Sequence, residues 1–141
     1  MPASLAGAYN GLSFGPATNY HVGAMSGFFD LPEIESRDQP RALASGMFAG
    51  TDLARGLTVG LVLVMIADTP AAYDALVDAL VAATAARATE LPLQVFGLTR
   101  YISCRPRKRS IPIDCEGEPQ RAGVATLEFF ATNPVLVVGT P

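Results

Sequence analysis

The sequence predicts a mainly β fold with one α-helix, on three observations. The run Leu57 to Ile66, LTVGLVLVMI, puts β-branched and aliphatic residues at nearly every position, the mark of a strand covered on both faces. From Arg121 to Ala131 the chain alternates with period two: Ala125, Leu127, Phe129 and Ala131 point one way, and Val124, Thr126, Glu128 and Phe130 the other. Between these lies one stretch of helical periodicity, so the expected arrangement is an antiparallel β domain with a single helix crossing between two strands.

The chain of 141 residues suffices for one domain with a real core and is short for two. One domain over residues 1–141 is expected. Met1 to Gly27 is rich in Gly, Ala, Ser and Asn, with short apolar stretches at Leu12–Phe14 and His21–Val22, and reads as a loosely specified amino-terminal segment. Phe28 to Glu35 reads as extended. Ser36 to Gly56 has no helical periodicity and carries Pro40, Gly46, Gly50 and Gly56, which predicts a long loop or arm of the kind that serves function or an interface. Thr69 or Asp68 can cap a helix whose first position suits Pro70. That helix is expected to run to about Ala88, burying Tyr73, Leu76, Val77, Leu80, Val81 and Thr84. Strands follow at Leu93–Phe96 and Arg100–Ser103, while Pro106 and Pro112 argue against the middle of a sheet for the stretch after them. Asn133-Pro134 ends the alternating strand, and Val135–Val138 is a last short one.

Composition narrows the function. Half the residues are apolar and 16% are charged, against roughly 25% in ordinary soluble proteins, so surplus apolar surface is expected to meet a partner. Val62 and Val64, on the second face of the apolar strand, are candidates for a contact between subunits. The net charge of −3 argues against a surface devoted to nucleic acid. The longest apolar run, Leu57 to Ala67, is about half of what a membrane-spanning helix needs, and the amino terminus lacks the pattern of an export signal. No membrane partner is expected.

Residues that carry chemistry are few. His21 is the only histidine, and an enzyme built on it would take Asp30 or Glu33 as its partner carboxylate, in a hydrolytic or metal-dependent reaction. The acidic run Asp30, Glu33, Glu35 lacks the glycine-punctuated spacing of a calcium loop, so a solvated or interfacial edge is the favoured reading. Cys104 and Cys115 are too few for a disulfide scaffold or a zinc site, and free thiols are expected, although pairing of the flanking strands would bring the two close. The densest charge feature is Arg105, Arg107, Lys108 and Arg109. In a regular strand the three arginines project to one side. Three readings stand: a strand edge protected by cations, a contact with acidic groups of an adjacent subunit, and a phosphate-binding patch, with edge or interface ranked above nucleic acid. No catalytic residue, metal site or cofactor is assigned.

The order of features is itself informative. Phe29-Asp30-Leu31-Pro32-Glu33-Ile34-Glu35-Ser36-Arg37-Asp38, the glycine-containing stretch through Gly56, the strand after it and the helix Thr69 to Ala86 come first. Then follow Leu91-Pro92-Leu93, the arginine-bearing segment Arg100–Pro112 and the closing LEFFATNP from Leu127 to Pro134. This ordered set resembles the amino-terminal domain of the phage distal tail (Dit) family. The resemblance implies a tail-tube-like β-sandwich with a flanking helix, assembled as a homo-hexameric ring that joins the tail tube to the tail tip. It implies a structural virion component, made in the host cytoplasm and without an active site. Its partners would be the tail-tube protein, the hub protein and the tape-measure protein, with double-stranded DNA as passing cargo. Relatives often continue into a domain resembling carbohydrate-binding modules, which is not expected here because the chain stops at Pro141.

Overall fold

Two left-handed residues in succession, Asn10 and Gly11 (φ 49° and 81°), turn β1 (Gly7–Tyr9) into β2 (Leu12–Phe14). Asn-Gly is the pair best suited to a two-residue hairpin, because both central positions need positive φ. With β3 (Tyr20–Ser26), this makes residues 7–14 and 20–26 ordered sheet, where a composition rich in Gly, Ala, Ser and Asn predicts a loosely specified segment. The computed structural model describes residues 6–16, 18–31, 34–35, 39–40, 47–48, 53–54, 56–113 and 120–141.

The expected arm is represented by four two-residue strands: β4 (Ile34–Glu35), β5 (Gln39–Pro40), β6 (Met47–Phe48) and β7 (Leu53–Ala54). β4 pairs with β7 and β5 with β6, both antiparallel and both apart from the main sheet. Then come β8 (Leu57–Ile66), α1 (Pro70–Ala83), β9 (Leu91–Val95), β10 (Arg100–Ser110), β11 (Ala122–Ala131) and β12 (Val137–Val138). The eight-stranded antiparallel sheet has the order β2-β1-β9-β10-β11-β8-β3, with β12 on β10.

β10 turns this one sheet into two layers. Its first half, Arg100 to Cys104, pairs with β9, and its second half, Arg105 to Ser110, pairs with β11. The halves face each other across a common core, where the Tyr9 ring lies 4.9 Å from that of Phe129. Leu93, Val95 and Ile102 from one half, and Val59, Leu61, Leu63 and Phe129 from the other, are buried in the same cluster. The mainly β fold with one helix among the described residues is therefore as expected.

The stretch after Pro106 is an edge strand, as its prolines predict: from Arg105 onward it pairs only with β11 among the described residues, and Pro106 sits beside a bulge between Pro106 and Lys108. An edge and a bulge are where a residue without an N–H is tolerated. The helix stops at Ala83 because Thr84 folds back, its Oγ1 donating to the Leu80 carbonyl at 2.6 Å. At its other end Thr69 Oγ1 accepts from Ala72 N–H at 3.1 Å, the expected cap. The helix buries Tyr73, Leu80 and Ala83, while Val81, expected in the buried stripe, is exposed. No helix among the described residues is long and apolar enough to cross a membrane.

Candidate assembly surface

On β8 the side chains alternate without exception. Val59, Leu61, Leu63 and Met65 are fully buried, Val62 and Val64 are half-buried, and Ile66 is exposed. The strand expected to be covered on both faces thus has one face in the core of its own chain and the other turned outward. Register extends this outward face sideways: Val64 lies between His21 and Val124, Val62 between Ala24 and Thr126, and Ile66 beside Ala122. The result is an outward sheet face with an apolar strip down its middle, bounded on one side by β3, which among the described residues pairs only with β8. A contiguous apolar strip on an outward sheet face is a candidate interaction site.

The basic run borders the same face, in a different arrangement from the one its spacing predicts. Paired residues share a side of the sheet, so Arg105 opposite Phe130 and Lys108 opposite Glu128 face outward, whereas Arg109 opposite Leu127 faces the helix. The bulge at Arg107 breaks the alternation that would have aligned the three arginines. Arg107 lies over the Phe130 ring, 4.4 Å from its centroid, a cation–π contact. Arg109 Nη1 donates to the carbonyls of Val81 (3.3 Å) and Thr84 (3.1 Å) and to Thr84 Oγ1 (3.1 Å). It supplies from a neighbouring strand the positive charge that the last turn of α1 lacks.

The other candidates fall elsewhere. His21 is half-buried on the outward face. Asp30 is exposed beyond the far end of β3, past a strand length of roughly 17 Å between His21 and Ser26 at about 3.3 Å per residue. An acid–base pair of these two is not assembled, and Glu33 lies outside the described residues. Among the described residues no group of three metal-ligating side chains occurs. Cys104 is a buried free thiol, and burial, with a smaller contribution from Glu90, pushes its pKa up to about 12. Its carbonyl accepts from the Tyr9 hydroxyl at 3.0 Å, and burial likewise raises Tyr9 to about 12. Cys115 lies outside the described residues.

No protein-family model matches the chain, and no curated protein matches it. Among solved structures it is similar to the crystal structure of the Dit protein (gp 19.1) of SPP1, described as a paradigm of the hub adsorption apparatus in phages that infect Gram-positive hosts. The superposition covers 95% of this chain with a TM-score of 0.68 at 15% identity. The fold is Dit-like. The chain spans about half of the SPP1 protein, 52% of its length. At this identity the agreement concerns architecture.

Proposed function

We propose that this chain is a structural component of a phage tail, a Dit-like ring subunit that joins the tail tube to the tip hub. In this reading six copies close a ring around the channel through which the tape-measure protein and then double-stranded DNA pass, and the chain resides in the virion tail after assembly in the host cytoplasm. It acts as an adaptor without catalysis. The observation that carries the proposal is the coincidence of a Dit-like fold over nearly the whole chain with an outward sheet face whose apolar strip is left half-covered by the chain itself.

Physical chemistry supports the pairing of these two facts. A closed ring needs heterologous contacts, in which different surfaces of neighbouring copies meet, and stable ones bury well over about 1,000 Å² each. Val62, Val64, Ile66 and Val124 provide apolar area for such a contact, while Arg105, Arg107 and Lys108 at its border suit acidic groups of the next copy, Asp30 and Glu33 among the candidates. Immunogold imaging of purified virions with an antibody to this chain tests the proposal. Label confined to the distal end of the tail is expected, and virions free of the chain would contradict it.

A further inference from the structure

Three asparagines occur in the chain, and the residues that follow set them apart. Asparagine is a chemically labile residue, because the next backbone nitrogen can attack its side-chain carbonyl carbon; a bulky or ring-closed neighbour blocks that attack. Asn133 precedes Pro134, which has no N–H. Asn19 precedes Tyr20, whose N–H donates to Thr18 Oγ1 at 3.2 Å. Asn10 precedes Gly11 at an exposed hairpin tip. The register closes that hairpin at Tyr9 and Leu12, which leaves the Gly11 N–H outside the ladder, and even a methyl group added to Gly11 would meet nothing within 4 Å.

The same asparagine ties the hairpin to the helix. Its Nδ2 donates to the carbonyl of Ala83, the last residue of α1, at 3.2 Å, the long end of the range for such bonds. Arg109 serves the neighbouring carbonyls of Val81 and Thr84, and the last turn of α1 carries no basic residue of its own. Among the described residues β2 is an edge strand, held to β1 over three residue pairs. A short edge element opens locally at far less cost than the whole fold, so the Asn10 amide is released from Ala83 without loss of the core.

We propose that Asn10 is a site of spontaneous deamidation and that the change uncouples the β1–β2 hairpin from α1, independently of any assembly. The Gly11 nitrogen bonds to Cγ of Asn10, the Cγ–Nδ2 bond breaks, and the Gly11 proton leaves with the amide as ammonia, so a five-membered succinimide remains. Water then opens the ring at either carbonyl. One product is aspartate and the other isoaspartate, whose main chain is longer by one methylene. Both replace a hydrogen-bond donor by a carboxylate. An acceptor then faces the Ala83 carbonyl at the negative end of α1, where negative charge is disfavoured. The longer backbone of isoaspartate also fits a two-residue turn badly.

The test incubates the purified full chain at mildly alkaline pH, in native buffer and in denaturant, and follows the three asparagines by peptide mapping. The expected result is conversion of Asn10 to aspartate and isoaspartate in the native chain, with Asn19 and Asn133 unchanged. Retention of the Asn10 amide in the native chain while the denatured chain converts would overturn the modification. Amide hydrogen exchange tests the uncoupling in two variants: Asn10→Gly keeps a turn that accepts positive φ and loses the hydrogen bond, whereas Asn10→Asp is itself one of the products. Exchange in the hairpin and in the last turn of α1 should exceed that of the wild type in both, and be about two- to fivefold faster in Asn10→Asp than in Asn10→Gly, because only aspartate adds charge. Equal exchange in the two variants, or slower exchange in Asn10→Asp, would overturn the uncoupling.

Discussion

Neighbouring residues on β8 face opposite ways, and this makes Leu63→Asp and Val64→Asp the sharpest pair of perturbations. Leu63 is fully buried, so its replacement loses the packing of a core leucine, about 2 to 5 kcal/mol, and leaves a polar group without partners, about 1 to 3 kcal/mol more. A loss of roughly 4 kcal/mol or more is a large part of the 5 to 15 kcal/mol that holds a typical domain together. Val64 is only partly exposed, so most of a valine's burial is lost, about 1 to 2 kcal/mol, together with up to about 1 kcal/mol for placing aspartate in a strand. Thermal melts followed by circular dichroism should show Val64→Asp folded, with its midpoint lowered by about 5 to 8 °C, and Leu63→Asp largely unfolded or lowered by more than about 12 °C. In the same samples native mass should show Val64→Asp deprived of assembly. Equal destabilisation of the two would refute the outward orientation of Val64, and a folded Val64→Asp that assembles normally would refute the use of that face as an interface.

Other predictions follow from individual contacts. Arg109→Met removes the hydrogen bonds to the end of α1 and should cost about 1 kcal/mol, with faster amide exchange confined to the last turn of the helix, whereas Lys108→Met should change stability by under about 0.5 kcal/mol. Gly123→Ala would drive a methyl group into the Tyr73 hydroxyl and should cost about 1 to 3 kcal/mol in a denaturant titration. Cys104 holds its proton up to about pH 12 in the folded chain but loses it near pH 9 when unfolded. Stability should therefore fall as pH rises across that window, and Cys104→Ala should flatten the fall; a parallel pH profile for the variant would reject the assignment. Peptide mapping after iodoacetamide treatment at pH 8 should find Cys104 unmodified in the native protein and alkylated in denaturant.

Much of the architecture was legible in the sequence because it rests on local pattern. The ends of β8 agree with the apolar run, the alternation of β11 assigns each side chain to its observed face, and Thr69-Pro70 marks the start of α1. What escaped was set by tertiary context. The helix stops short of the expected end near Ala88 because Thr84 and Arg109 occupy its last carbonyls, and Arg109 reaches them from a strand distant in sequence. The basic run does not align its arginines because a bulge at Arg107 reverses the alternation, and no residue pattern announces a bulge there. The β1–β2 hairpin departs from the loosely specified segment expected there: Asn10-Gly11 is a strong local turn signal, but alanine- and glycine-rich flanks mask it. For the assembly surface, Val62 and Val64 were identifiable as the second face of a continuous apolar strand.

As a ring subunit, this chain would complete its apolar burial against other copies of itself. The direct measurement is the native mass of the purified protein across a range of concentrations. Six chains per particle, or ring intermediates that grow toward six as concentration rises, are the predicted result. A folded particle of one chain at every concentration would contradict it.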